Sequence, residues 1–185
     1  MSMGSEEREE VLSALKGAVE LLEERMSPVL IPEVGSNIVY AVKGAKEPGD
    51  VAAVEGRIVR RAGVVHAVGP VAFGASDHVA RIVLTAMKFD PDIRSAANIR
   101  YSPETIALLE ELFFEICSFD RAHEPPGIRT MDWGVASCCK TGVPDVIFDR
   151  GAVGKEPMIR ILGENPLEVA NNIIKLGNKC QKMTD

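Results

Sequence analysis

The residues best suited to chemistry in this sequence sit at the ends of apolar runs. Gly74-Ala75-Ser76-Asp77 opens a helical pattern. Such a turn aims backbone N–H groups and the positive end of a helix dipole at one point, which makes it an anion site by geometry. An ordinary helix cap uses the same residues. His78 follows in the first turn, placed to donate to a phosphate or to protonate a leaving oxygen. Arg57 follows Gly56 at the start of a β-like run, and its planar guanidinium suits a two-pronged phosphate contact. Gly154-Lys155-Glu156 is another glycine-led basic turn. It lacks the Walker spacing and the Ser or Thr after lysine, so a P-loop hydrolase is excluded. Asp120, Asp145 and Asp149 are carboxylates of the kind that hold magnesium together with water. For each, caps, strand-end charges and surface ion pairs are the competing explanation. Trp133, Phe73, Phe119 and Phe148 read first as core.

Other chemistries are disfavoured. The three histidines, His66, His78 and His123, do not stand three or four residues apart, which argues against a histidine-rich zinc site. Cys117, Cys138, Cys139 and Cys180 contain no C-x-x-C pair, and the expectation is reduced, partly buried thiols.

The elements that must position these residues alternate between helix and strand. Residues 5–25 carry Val11, Leu12, Leu15, Val19 and Leu22 at helical spacing, and Pro28 and Pro32 end the pattern. Strands are expected over 38–42, 57–61 and 64–68, the last two joined by a tight turn at Ala62-Gly63. A helix runs from about 74 to 89, capped by Ser76 or Asp77. Asn98 to Tyr101 is a short strand, and Ser102-Pro103 starts a helix reaching about 114. A strand at 116–119, a loop over 121–130 and a helix over 131–140 follow. Strands at 145–148 and 158–162 and a helix over 166–176 complete the chain. Hairpin-like strand pairs point to a three-layer α/β/α sandwich with a mixed sheet rather than a parallel Rossmann sheet.

Bulk properties agree with one folded unit. The chain has 185 residues, 46% of them hydrophobic and 26% charged, enough for a core and a solvated surface. No apolar run approaches the roughly 18 residues of a membrane span, and the acidic N-terminus does not read as a signal peptide, so a cytoplasmic location is expected. A net charge of −6 argues against nucleic-acid wrapping but not against a phosphorylated small molecule.

Seven motifs then fall into register. They are Ile31-Pro32-Glu33-Val34-Gly35-Ser36-Asn37, Gly56-Arg57-Ile58-Val59-Arg60, Phe73-Gly74-Ala75-Ser76 and Lys88-Phe89-Asp90-Pro91. Asn98-Ile99-Arg100-Tyr101-Ser102, Phe119-Asp120-Arg121 and Gly154-Lys155-Glu156-Pro157-Met158-Ile159-Arg160 follow. In order and spacing the sequence resembles the ThiN-type thiamine-phosphate synthase family over about residues 6–177. Between Glu124-Pro125 and Trp133-Gly134 the loop is shorter than the family's.

The resemblance implies a three-layer α/β/α sandwich with a mixed, mostly antiparallel sheet, like class II aldolases. It implies a helix over 1–27 and a ThiN-type domain over 28–185 as one structural unit. Members, mainly archaeal, stand alone, are fused to a pyrimidine kinase, or are joined to DNA-binding domains as thiamine-responsive regulators. The implied reaction joins hydroxymethylpyrimidine pyrophosphate to hydroxyethylthiazole phosphate and releases pyrophosphate. The family's catalytic arginine and histidine correspond to Arg57 and His78. Candidates for substrate or phosphate contact are Asn37, Gly74, Ala75, Ser76, Asn98, Arg100, Asp120, Arg121, Lys155, Glu156 and Arg160. Asp149 is the candidate ligand for an expected magnesium ion. The expected partners are the two phosphorylated small molecules, with room for a homodimer. A non-catalytic thiamine-phosphate-sensing domain is the alternative.

Overall fold

The computed structural model describes residues 3–112 and 114–182. An N-terminal helix, α1 (Met3–Arg25), leads into strands β1 (Ile38–Ala41) and β2 (Val51–Val54). The hairpin β3 (Ile58–Arg61) and β4 (Val64–Ala67) comes next, then β5 (Val71–Phe73), α2 (His78–Ala86), β6 (Ser95–Arg100) and α3 (Pro103–Glu111). The chain closes with β7 (Ile116–Ser118), α4 (Thr130–Cys138), β8 (Val146–Asp149), β9 (Met158–Gly163) and α5 (Pro166–Lys182).

Seven strands form one sheet in the order β5-β2-β1-β6-β9-β8-β7. Every neighbouring pair is antiparallel except β7 with β8. The sheet is mixed and mostly antiparallel, as expected. Helices cover both faces, because alternate strand residues feed two separate apolar cores. Ile38, Ala52, Ala97, Ile159 and Ile161 pack with α1, α3 and α5. Val39, Ala41, Ala96, Ile147 and Leu162 pack with α2 and α4.

The helical spacing of α1 has a direct result. Val11, Leu15, Ala18, Val19 and Leu22 are buried in the same core as the sheet residues. The helix is part of the domain rather than an appendage. In α3, Pro103 stands in the first turn and the Ser102 hydroxyl accepts the Thr105 N–H at 3.0 Å. Between β3 and β4, Ala62 and Gly63 both take positive φ, 50° and 76°, which matches the twist of a two-residue hairpin.

Some boundaries differ from the sequence reading. Strands β2 and β5 stand out in the structure but not in the sequence pattern. All four β2 residues are buried, so the strand shows no apolar alternation, and β5 has only three residues. Helix α2 begins at His78, later than expected, because Gly74 is still tied to the sheet through its N–H to the Val51 carbonyl at 3.0 Å. Helix α5 runs six residues past its expected end. The expected helix to about 114 crosses Phe113, which lies outside the described residues, as do 183–185.

The cysteine expectation is corrected for one pair. Cys117 in β7 and Cys138 in α4 form a disulfide. Their separation of 21 residues gave no hint, since only the packing of α4 beside the sheet edge brings them together. Cys139 and Cys180 remain free thiols, and burial pushes the Cys139 thiol up to about 11.

Candidate active site

The side-chain alternation that builds the α2/α4 core changes character at one end of the sheet. On that face β8 ends in Asp149, Arg160 is the third residue of β9, and β6 carries Asn98 opposite Arg160 in register. These three side chains are buried polar groups at the end of an apolar layer. Burying a charge is costly unless it is paired. Here Arg160 Nη2 donates to Asp149 Oδ2 at 2.8 Å, and Arg121 Nε lies 3.1 Å from Asp149 Oδ1. Asp149 Oδ1 also accepts the Gly151 N–H at 2.8 Å.

Arg160 is held on several sides. Its Nε reaches Met131 Sδ at 3.3 Å, and its guanidinium carbon stands 5.2 Å from the Phe119 ring centroid. Phe119 packs edge-on against Trp133. Burial pulls the Arg160 guanidinium below its usual range, while Asp149 opposes the shift. Two arginines share one carboxylate, so this floor carries surplus positive charge. Arg160 Nη1 is buried and has no hydrogen-bond partner, a donor left over for an anion or water.

Next to this floor, and lined by its Arg121 though not by Arg160 or Asp149 themselves, lies a cavity of about 260 Å³. Asn37, Arg57, Ser76, His78, Arg121 and Lys155 line it, with Val34, Val79, Asn98, Gly154, Glu156 and Met158. Arg57 reaches it from a turn in which both Gly56 (φ 72°) and Arg57 (φ 70°) adopt the left-handed region. For a long side chain such as arginine that conformation costs on the order of 1–2 kcal/mol. The pairing of Ser36 with Ile58, through N–H···O bonds of 2.8 Å in both directions, holds it in place. Arg57 Nη1 donates to the Val34 carbonyl at 2.6 Å, which spends one of its five donors and leaves the rest of the fork.

His78 begins α2 at the cavity mouth. The residue is exposed, yet it also lines the cavity. Its imidazole is held below the usual range, first because the wall strips water from it. Arg160, Arg57 and Arg121 then oppose a further positive charge, and Asp77 pulls weakly the other way. The free ring is therefore neutral at neutral pH. A bound anion would reverse the electrostatic balance and favour the imidazolium.

The expected residues divide into three groups. Arg57, His78, Ser76, Arg121 and Lys155 meet in the cavity, and Lys155 Nζ also lies 3.6 Å from Glu124. Asn37, Asn98 and Glu156 line it too, but their polar atoms are turned to the backbone. Asn37 bridges its own strand to β2, with Oδ1 accepting from the Ile38 and Val54 N–H and Nδ2 donating to the Val54 carbonyl. Asn98 Oδ1 accepts the Asn37 N–H at 2.7 Å, and its Nδ2 donates to the Gly35 carbonyl at 3.1 Å. Both asparagines pin loops and have little left for a ring. Ser76 Oγ accepts the Val79 N–H at 3.2 Å, so it caps α2.

The third group stands apart. Arg100, at the end of β6, opens onto different grooves, beside Arg60 on one side and Tyr101 on the other. Gly74 and Ala75 shape the approach to α2 without lining the cavity. Asp120 is exposed and caps the turn at 121–123 through the Ala122 N–H at 2.9 Å, which directs Arg121 inward. Asp149 does not fit a magnesium ligand. Two arginines and a backbone N–H occupy its oxygens, and Asp145 sits at the opposite end of β8, accepting the Glu115 N–H. Among the described residues no cluster of three His, Cys, Asp or Glu side chains could hold a metal ion.

Sequence reasoning missed Val34, whose carbonyl aims Arg57, and Met131, which packs on Arg160. Neither residue type carries a chemical signal. For Arg160 a signal existed: a charge between Met158-Ile159 and Ile161-Leu162 in a strand must be buried and paired.

With this geometry in view, comparison with known proteins is decisive. A family profile described as "Thiamine-phosphate synthase ThiN" matches residues 14–175. The chain belongs to the ThiN family. It is 47% identical over 169 residues to a protein of Methanocaldococcus jannaschii named "Bifunctional thiamine biosynthesis protein ThiDN". That match covers 90% of this chain but 40% of the relative, so the chain spans about two fifths of that protein. A "Thiamine-phosphate synthase ThiN" of Methanothermobacter thermautotrophicus is 39% identical, over 84% of this chain and 85% of the relative. Among solved structures, a "C-terminal domain of phosphomethylpyrimidine kinase" superposes with TM-score 0.86 at 46% identity, covering 92% of this chain and all of that one. An L-fuculose-1-phosphate aldolase of Thermus thermophilus shares the fold, with TM-score 0.53 at 15% identity over 96% of this chain and 94% of that one. This ThiN domain therefore has the aldolase-like sandwich expected of it. No helix among its described residues is long and apolar enough to cross a membrane.

Proposed function

We propose that this ThiN domain is a thiamine-phosphate synthase, joining hydroxymethylpyrimidine pyrophosphate to hydroxyethylthiazole phosphate. The thiazole nitrogen forms a bond to the pyrimidine's methylene carbon. The carbon–oxygen bond to pyrophosphate breaks, and the electron pair leaves with the pyrophosphate. No protein nucleophile is needed. The barrier lies in charge separation, since the leaving group gathers negative charge while the carbon becomes cationic. Preorganised donors aimed at the departing oxygens lower such a barrier.

The observation that carries this reading is the convergence of Arg57, His78, Arg121 and Lys155 on one small cavity above a floor with surplus positive charge. In this proposal Arg57, Arg121 and Lys155 hold the pyrophosphate, backed by the spare N–H of Arg160. His78, neutral in the free protein, gains basicity as the polyanion binds. It then donates a proton to a departing oxygen. Asn37, Asn98 and Ser76 fix the loops that carry these groups. The carboxylate among the lining residues, Glu156, accepts a backbone N–H on each oxygen, and no step of this proposal requires a protein-held metal.

The test is to mix the full chain with both phosphorylated substrates and assay product. Thiamine phosphate and pyrophosphate should appear in equal amounts. Thiamine phosphate that binds without ever being formed would overturn the enzymatic reading in favour of a sensor.

A further inference from the structure

Glu156 presents an electrostatic puzzle. It lines a cavity built for a polyanion, where a free carboxylate would repel the ligand. Its hydrogen bonds resolve the conflict. Oε1 accepts the Glu33 N–H at 2.9 Å, and Oε2 accepts the Val34 N–H at 3.2 Å. Both oxygens are turned to adjacent amides 122 and 123 residues away in sequence. The carboxylate thus fastens the loop before β9 to the turn before β1.

That turn is the one that aims Arg57. The carbonyl of Val34, whose amide Glu156 holds, accepts from Arg57 Nη1 at 2.6 Å. The neighbouring Gly35 has φ 84° and leaves no slack. A Cβ there would stand 3.3 Å from the Ile58 carbonyl and 3.4 Å from the Arg57 side chain. A single path therefore runs from the Glu156 carboxylate through the Val34 peptide to the guanidinium. The loop bearing Glu156 is fixed at its base as well, because Gly151 (φ 77°) lies so close to the chain at 155–157 that a Cβ would meet the Lys155 carbonyl at 2.6 Å.

We propose that Glu156 is a positioning residue for Arg57: it makes no contact with substrate and holds the 33–34 turn so that the guanidinium points into the anion cavity. The proposal rests on the pyrophosphate reading of that cavity. A carboxylate is required because two N–H donors face it. A glutamine accepts through one oxygen and turns an NH₂ group toward the second amide.

The experiment is a double-mutant cycle on the full chain with Glu156→Gln, Arg57→Ala and both together. It reads the Kd for inorganic pyrophosphate, kcat and KM, and thermal unfolding. In the parent protein, Glu156→Gln should weaken pyrophosphate binding and lower kcat about 10- to 100-fold, the scale of a misplaced catalytic group. In the Arg57→Ala background the same change should cost less than about twofold, because the group it positions is gone. Unfolding should hardly move, since the bonds lie at an exposed turn. Equal losses in both backgrounds would overturn the proposal. If Glu156→Gln fails to fold, Glu156→Asp, one methylene too short to span both amides, is read in its place. Should the parent make no thiamine phosphate, the function reading fails, yet the pyrophosphate arm still measures the coupling. A parent that binds no pyrophosphate ends both.

Discussion

The floor and the rim of the cavity carry similar charges on different supports. Arg160 and Asp149 grow from adjacent strands and are at most 1% exposed at the side chain, and Arg121 is 8% exposed. Arg57, Lys155 and Glu156 sit on loops, and Lys155 is half exposed. A charge locked into a strand floor has already met its desolvation cost in folding, so the fold depends on its partners. A charge on a loop depends on a few hydrogen bonds that orient it, and the core does not feel its loss. Precision at the floor comes from packing, and at the rim from carboxylate and carbonyl tethers.

The strongest way to break this contrast is Asp149→Ala. It strands two buried guanidinium groups and should cost about 3–5 kcal/mol of stability, the usual penalty for an uncompensated buried charge. Urea unfolding measures it, and a loss below 1 kcal/mol would mean the floor is no more integral than the rim. Next comes Arg57→Ala at the rim. Turnover should fall about 100- to 1000-fold, or roughly 3–4 kcal/mol of barrier, with the urea midpoint unchanged. Arg57→Gly sharpens the point, since glycine accepts a φ of 70° without strain. That variant should be equally inactive yet at least as stable as the parent.

A smaller effect is expected behind the floor. A Cβ at Gly134 would meet the Phe119 ring at 2.5 Å, and Phe119 is the ring beside Arg160. Gly134→Ala should destabilise by about 1–3 kcal/mol through overpacking and lower turnover with it. A stable, fully active variant would show that the ring can move without disturbing Arg160. The mildest effect concerns pH. His78 is held below its usual range when folded. Its contribution to stability is thus complete above the unfolded value near 6.5 and falls as pH drops through the folded one. Pyrophosphate binding should run the other way and tighten over that window, because the bound anion favours the imidazolium. His78→Asn should flatten both trends, and calorimetry in two buffers would detect the proton uptake. An unchanged pH profile in that variant would remove His78 from the electrostatics of the site.

Much of the frame was legible beforehand because it rests on local rules. The apolar spacing in α1, the Ser102-Pro103 helix start and the Ala62-Gly63 turn each act over a few residues, and each is found where expected. Strands without alternation were harder, since β2 is buried on both faces and its four residues carry no period. For the cavity, residue type identified cationic candidates but not the direction in which each side chain points. Arg57 and Arg100 look alike in sequence, one opening a β-like run and the other closing one. One enters the cavity and the other faces away, because strand parity and loop path decide which side of the sheet a side chain meets.

The sequence by itself determined the alternation of helices and strands, the family, and the residue types able to bind a pyrophosphate. Those follow from periodicity, turn chemistry and ordered motifs, all short-range along the chain. Only the tertiary structure decided that Asp149 pairs with two arginines, that Cys117 meets Cys138, and that the Glu156 carboxylate accepts from the Val34 amide. Each of these choices is a contact between segments far apart in sequence. Which partner a charge or thiol finds there is set by the packing of the sheet and its helices, to which no local pattern refers.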